Sequence, residues 1–429
     1  MNTSKMFLGL VILMVLLCFS WIFFYDSAPV NDQDTLFKEA QKIAGYNNTP
    51  YNATYMIAFK RQRFVVLLMS LGIKLTGNNY LGFKLFNVIG AVGIYFGIHN
   101  IIKKREKNFS FLAMFFTFLF YPIIIYTSFL YGTLLSFAFS IWGFYNAIEW
   151  VSKRSVRNAL LMSFCFTIAI SFHQSAAIAF LAACIYLIVN INKKNVINIL
   201  FIIVISFLLI FAFGKIVDYT YERITNIEKG DSLPPLATIA MGLTSTDEYG
   251  GPGSQDGSFF QIYDENNRIS AETNKASLKI IKNSFLDFIS GKRSLSFFYK
   301  KIQYQWLDPT LGSKKTIITN YEEPYNSKLF LAFYNSSLRN IIFKFSNVFM
   351  IVIYGFSFIT GIMLTINDKS MDDSSANIHL LFQLYVIGGF IFQLFWESLS
   401  RYCFPYYLFI IIEGSYGITI LNNKVKEAS

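Results

Sequence analysis

Between Met6 and Phe24 the chain carries no charge, and apolar stretches of comparable length recur down its 429 residues. About 20 consecutive apolar residues is what an α-helix needs to cross the hydrocarbon core of a bilayer. A water-soluble fold of this size has too little interior for 54% hydrophobic and 18% aromatic residues against only 15% charged. The runs are continuous, whereas the strands of a membrane β-barrel alternate apolar and polar side chains. The expected fold is an all-α polytopic membrane protein with about ten transmembrane helices and a large extracytoplasmic loop region.

The basic residues indicate how the runs are threaded. A formal net charge of +11 would suit a nucleic-acid partner if it formed one patch. Instead Lys and Arg fall in short clusters between apolar runs, as in cytoplasmic loops, so no nucleic acid is expected. Lys5 precedes a first span at about 6–25, and Lys103, Lys104, Arg105 and Lys107 follow a second at about 80–101. Spans at about 109–126 and 131–150 lead to Lys153, Arg154 and Arg157. Spans at about 157–172 and 175–191 lead to Lys193 and Lys194, and a seventh follows at about 196–214. The last three, at about 340–366, 378–396 and 402–422, end at Lys424 and Lys426.

This pattern predicts a multi-pass plasma-membrane protein with both termini in the cytoplasm. A first outer loop covers 25–79, with the short apolar piece Phe64–Leu75 interfacial or re-entrant. The turns YTSFLY, His173-Gln174 and WESLSRY lie on the same side. The chain then divides into an N-terminal transmembrane module (1–214), an extracytoplasmic subdomain (215–338) and a C-terminal transmembrane module (339–429). Within the subdomain, YGGPGSQDG at 249–257 reads as turns. An amphipathic helix is expected from about Ala271 to Ile289, with Leu278, Ile281, Phe285 and Ile289 on one face.

Several chemistries have no footing. There is no Walker loop, GxSxG, HExxH or CxxC, and His99, His173 and His379 lie on different spans. Cys18, Cys165, Cys184 and Cys403 sit in or beside apolar runs and read as small buried residues. The first run is long for a signal peptide and no small-x-small site follows, and Leu17 is too bulky for lipoprotein cleavage before Cys18. It reads as an uncleaved span.

Acids and cations concentrate on the outer side. Asp26, Asp32 and Asp34 follow the first span. Asp32 and Asp34 flank one site if the segment is extended, whereas a helix points them apart and makes either a first-turn acid of DTLFKEAQKIA. In WESLSRYCFPY, Glu397 and Arg401 share a face if helical, as a simple ion pair. Alternatively the Arg401 guanidinium holds a phosphate. Trp396, Tyr402, Tyr406 and Tyr407 around it suit an interfacial aromatic belt equally well. Lys84, Glu149 and Glu413 fall within spans, where charge is costly. Lys84 and Glu149 lie near enough to span ends to snorkel, and Glu413 has no evident partner.

The order of these pieces resembles the GT-C superfamily of membrane glycosyltransferases, near the family 39 and ArnT-like enzymes of Gram-positive type. The matching stretches are the acid-bearing APVNDQDTLFKEAQKIAG, the hydrophobic YMIAFKRQRFVVLLMSLGIKLTGNN and the second span YLGFKLFNVIGAVGIYFGIHNIIKK. YPIIIYTSFLYGTLLSFAFSIWGFY and the late GGFIFQLFWESLSRYCFPY complete the series. Lys60-Arg61-Gln62 stands where relatives tend to carry Tyr-Pro or Pro-Gln, with only Gln62 kept.

The resemblance implies an enzyme of cell-wall or polysaccharide biosynthesis. Its donor would be a sugar on polyprenyl phosphate at the outer leaflet, and its acceptor a glycan, teichoic-type polymer or lipid-linked sugar. It implies Asp32 as catalytic base with Asp34 second, since a carboxylate can take the proton of the attacking hydroxyl. Arg401, Lys84, Lys60 and Arg61 would hold the departing lipid phosphate. Glu397, Gln62, Tyr402, Trp306 and Asp308 would contact substrate. No metal ligands are picked out, and a divalent cation and the oligomeric state stay open. Two rivals stand beside this reading. A polysaccharide polymerase of the Wzy or EpsG type would lean on outer arginines. A lipid-linked sugar transporter or flippase would favour broken helices with paired midplane charges.

Overall fold

The structure, a computed structural model, describes residues 3–25, 29–103, 105, 107–191, 196–245, 251–313, 337–366 and 373–428. Asp26 and residues 367–372 of the expected inner loop lie outside the described residues. Every regular element among the described residues is helical. In chain order they begin α1 (Thr3–Phe24), α2 (Asp32–Ala44), α3 (Ala53–Ala58), α4 (Arg63–Thr76), α5 (Leu81–Ile102) and α6 (Lys107–Leu119). There follow α7 (Pro122–Ile125), α8 (Thr133–Lys153), α9 (Val156–Phe172), α10 (Ala176–Val189), α11 (Val196–Thr225) and α12 (Pro235–Thr244). The series ends with α13 (Ser258–Glu265), α14 (Ser270–Ile289), α15 (Ser296–Trp306), α16 (Ser337–Ile366), α17 (Asp373–Phe395) and α18 (Phe404–Ala428).

Six helices among the described residues are long and apolar enough to cross a membrane: α1, α5, α11, α16, α17 and α18 with the turn before it. A seventh is added if α6 and the segment Pro122–Ser128, bent by 49°, make one broken span. The bend falls at Pro122, whose ring lacks the N–H that a continuous helix would need there. The other three expected spans appear as α8, which carries Asn146, Glu149 and Lys153, and as α9 and α10, of only 17 and 14 residues. The chain is thus a polytopic helical protein with fewer helices of clear spanning character than the sequence suggested. Helix α11 also runs on to Thr225, past the expected boundary at 214.

Helix α8 lies at the centre, packed on α5, α9 and α10. Its Phe144 meets the rings of Phe166, Tyr385 and Phe409 at 5.8, 5.3 and 5.5 Å. Between helices in lipid the gain is close packing, because no water is released. Where α4 crosses α5 the backbones touch, and a Cβ at Gly82 would stand 2.4 Å from the Gly72 carbonyl oxygen. The expected interfacial piece is therefore a helix clamped between α2 and α5.

The charge left unexplained by the sequence also finds its place. Glu413 of α18 is buried and its Oε1 lies 2.9 Å from Nδ1 of His379 on α17. Such pairing is how a charge is accommodated inside a bundle.

The turns sort to two ends. At one, Trp21 donates to the Ile125 carbonyl at 3.2 Å, and Phe129 and Tyr131 lie under the Arg401 guanidinium. At the other, Arg154 donates to the Asn190 carbonyl at 3.3 Å and lies over the Trp150 ring.

Candidate functional site

Helix α2 opens with Asn31 at a φ of 53°, a positive value that few non-glycine residues adopt, followed by Asp32 and Asp34 in its first turn. Acids there face the positive end of the helix dipole. Gln33, between them, accepts from the Leu130 backbone N–H at 2.9 Å. That bond ties the start of α2 to the loop carrying Phe129 and Tyr131. Asn87 of α5 holds the same loop by donating to the carbonyls of Thr127 and Phe129 at 3.3 and 2.7 Å. Asp32 then lies near Tyr55. Burial, with Tyr131 and Asp32 nearby, pushes the Tyr55 phenol well up. Asp34, two positions on, turns the other way and pairs with Lys38 at 2.6 Å on the surface. The helix separates the two acids: Asp32 is near Tyr55 and Tyr131, although it lines neither pocket described below.

Opposite α2, the chain breaks after α17. Trp396 to Leu399 are non-helical, and a short 3₁₀ turn, Ser400–Cys403, leads into α18. The break overturns the expected i,i+4 ion pair, because Glu397 and Arg401 no longer share a helix face. Instead Tyr402 links them: its hydroxyl accepts from Arg401 at 3.3 Å and donates to Glu397 Oε2 at 3.0 Å. Glu397 Oε1 is buried with no hydrogen-bond partner. Burial raises the Glu397 carboxyl above its usual range, opposed by Arg401, the Tyr402 hydrogen bond and Arg61, and aided by Asp32. The Arg401 guanidinium lies over three rings, those of Tyr402, Phe129 and Tyr131, at 5.2, 5.8 and 6.0 Å.

The long loop region braces this break. Lys301 of α15 is buried and donates to the carbonyls of Gly242 and Trp396 at 2.7 and 2.5 Å. Burial pulls its pKa down to about 7 against the opposing pull of Glu397. Ser398 donates through its backbone to the Gly253 carbonyl at 2.7 Å. Asp308 accepts from the Thr310 N–H and hydroxyl, the Gly312 N–H and the Ser400 hydroxyl, all within 2.9 Å. Gly312, at a φ of 74°, lets that turn lie on Arg401, whose backbone nitrogen would be 2.8 Å from a Cβ there. Trp306 packs against Phe390 and Tyr406 in the core. Asp308 and Trp306 therefore hold the break in shape, and neither lines a cavity among the described residues.

A cavity of about 450 Å³ opens in front of the break. Its polar wall is Arg61, Gln62, His173, Gln174, Glu397 and Tyr402. Its apolar wall, with Ile170, Ile178, Leu181, Phe392 and Trp396, is drawn from α9, α10 and the end of α17 with the residue after it. Leu181 is 52% exposed, so this wall reaches the outside of the bundle. Arg401 occupies a narrow pocket that shares Tyr131, His173 and Tyr402 with the cavity. Among the described residues Arg61 touches the Gln174 side-chain oxygen, at 3.4 Å, and the face of Phe59. Neither Arg61 nor Arg401 pairs with a carboxylate among the described residues. The His173 imidazole, held by Ser175 at 2.7 Å, is pushed down to about 3 by burial and by both guanidinium groups, so it is neutral at ordinary pH.

Of the cations expected at a phosphate, Arg61 and Arg401 come together here. Lys60, in the same short turn as Arg61, lines neither pocket. Lys84 is buried at the start of α5 with its ammonium 4.5 Å from the Tyr80 ring centroid, and lines neither pocket. Gln62 donates to the Tyr131 hydroxyl. Burial, above all, raises that phenol to about 12, with Asp32 adding and the guanidinium groups opposing. The residues sequence reasoning passed over are Tyr55, Tyr131, Lys301 and His173-Gln174. The last pair had a signal, being a polar doublet at a tight turn between two apolar runs.

No protein-family model and no curated protein matches this chain.

Proposed function

We propose that the chain is a membrane glycosyltransferase of the GT-C type that moves a sugar from polyprenyl phosphate to a glycan, teichoic-type polymer or lipid-linked acceptor. One observation carries this reading. The cavity and the narrow pocket beside it bring Arg61 and Arg401, neither paired with a carboxylate among the described residues, close to Glu397 with Asp32 nearby, and the cavity has an apolar wall that reaches the bundle surface. A lipid phosphate sugar has the matching chemistry: an anionic phosphate, a polar sugar, and a hydrocarbon chain that must leave sideways into the bilayer.

In the proposed reaction Asp32 takes the proton of the acceptor hydroxyl as its oxygen attacks the anomeric carbon. The bond from that carbon to the phosphate oxygen breaks, and the leaving lipid phosphate carries the electron pair. Arg61 and Arg401 stabilise the charge that develops there. Tyr402, held by Glu397, fixes the plane of the Arg401 fork. With basic loops inside, the reacting end faces outward, which suits a lipid-borne donor over a cytoplasmic nucleotide sugar.

The test uses the full-length protein in liposomes with radiolabelled polyprenyl-phosphate hexoses. Asp32→Asn should lower sugar release by about 10²–10⁴-fold, the range of a general base, with membrane insertion intact. Full activity in Asp32→Asn with loss in Glu397→Gln would move the base to Glu397. Release from no hexose donor would defeat the reading. Two arginines without carboxylate partners among the described residues, in adjoining pockets, also favour a Wzy or EpsG type of polymerase. In that case Asp32→Asn would leave activity intact, and substitution of Arg61 or Arg401 would abolish it.

A further inference from the structure

A second cavity lies at the other end of the bundle, and it has the form of a lipid site. It occupies about 570 Å³ against the outer sides of α8 and α9, within the size range of small-molecule sites. One half is apolar, walled by Phe139, Trp142, Leu161 and Phe164. The indole of Trp142 is fixed in place by donating to the Gly93 carbonyl at 3.1 Å. The other half is polar and includes Glu149, Lys153 and Arg157. Lys153 is joined to the buried Glu149, which cancels one charge. Arg157 has no carboxylate partner among the described residues, so the polar half carries one positive charge in excess. Leu161 and Phe164 are among the exposed large hydrophobic side chains, on a helix in a membrane-spanning bundle. Something apolar covers them.

We infer that this cavity binds an anionic glycerophospholipid, with its phosphate at Arg157 and Lys153 and an acyl chain along Trp142 and Phe164. Charge selects the headgroup. A phosphatidylglycerol brings one negative charge to one excess positive charge, whereas the ammonium of a zwitterionic lipid would be set against Lys153 and Arg157. Basic pockets between helices at the basic-loop side of membrane proteins hold anionic headgroups for the same reason. This inference stands apart from the enzymatic reading, because none of its residues lines the cavity at the other end.

The full-length protein, stripped of lipid by detergent exchange, is titrated with phosphatidylglycerol, phosphatidylethanolamine or phosphatidylcholine and examined by native mass spectrometry. Phosphatidylglycerol should bind preferentially, and the exposed-site variant Arg157→Ala should weaken it by about five-fold, the effect of one basic charge at a lipid surface. Phosphatidylglycerol brominated in its acyl chains should quench tryptophan fluorescence, and Trp142→Phe should remove that increment. Equal binding of the three lipids would overturn the proposal. So would unchanged affinity in Arg157→Ala, quenching that survives Trp142→Phe, or full displacement by inorganic phosphate, which would mean a headgroup site alone.

Discussion

Arg61 and Arg63 stand two residues apart and meet opposite surroundings. Arg63 opens α4, is fully buried, and reaches Asp218 and Glu222 of α11 at 2.9 Å each, with its Nε on the Met56 carbonyl. Nearby, Glu39 accepts from Lys42, the Asn52 N–H and the Tyr221 hydroxyl. Together these bonds lock α2, α4 and α11. Arg61 sits in the turn before α4 and faces the cavity, touching the Gln174 side chain and the Phe59 ring. The difference separates a charge that holds the fold from one that is available to a ligand. Type and neighbourhood in sequence are the same; what differs is whether a carboxylate answers it.

Five substitutions test that contrast, from the largest effect down. Arg63→Met leaves Asp218 and Glu222 facing each other without their cation, and should cost about 3–5 kcal/mol of stability, read as thermal melting in detergent. A small loss there would put Arg63 in the same class as Arg61. Arg401→Ala should lower sugar transfer by about 10²–10³-fold, the effect of removing one preorganised donor, with a far smaller change in melting. Arg61→Met removes one charged hydrogen-bond donor, and the affinity for polyprenyl phosphate should fall by about 10-fold or more while melting stays within about 1 kcal/mol.

Glu397→Gln sharpens the contrast through pH. The folded state raises this carboxyl above its unfolded value, so the folded protein holds that proton to higher pH and loses stability as the group ionises. The variant should melt higher than the parent at pH 8, and the gain should vanish below the ordinary carboxylate range, near pH 4. An unchanged difference across that window would mean that Glu397 ionises normally. Least of all, Asp34→Asn removes an exposed pair with Lys38 and should change stability by under about 0.5 kcal/mol and transfer not at all.

Much of the bundle was legible because lipid permits few solutions. A chain whose backbone cannot bond to water must be helical wherever it is apolar, so apolar run length marks the helices. The amphipathic α14 was likewise visible, although it turns Thr273, Ser277, Ser284 and Phe288 inward and leaves Leu278, Phe285 and Ile289 exposed. Asp32, Glu397 and Arg401 were singled out from their chemistry and setting, Arg61 and Gln62 from the resemblance, and the structure brings these residues near one another.

What no local pattern carried was pairing between distant segments. Asp32 and Asp34 are equal as letters, and the pitch of α2 separates them. Arg401 lost its expected partner because the helix breaks at Trp396. That break persists because Lys301, 95 positions away, holds the Trp396 carbonyl. Glu413 found His379, and Arg63 found α11, across similar gaps in the chain. Composition and apolar run length determined that this protein is a helical membrane bundle. Tertiary packing decided which charges are answered and which are left for a ligand, because a charge in a low-dielectric interior is defined by what lies within a few ångströms of it, whatever its distance in sequence.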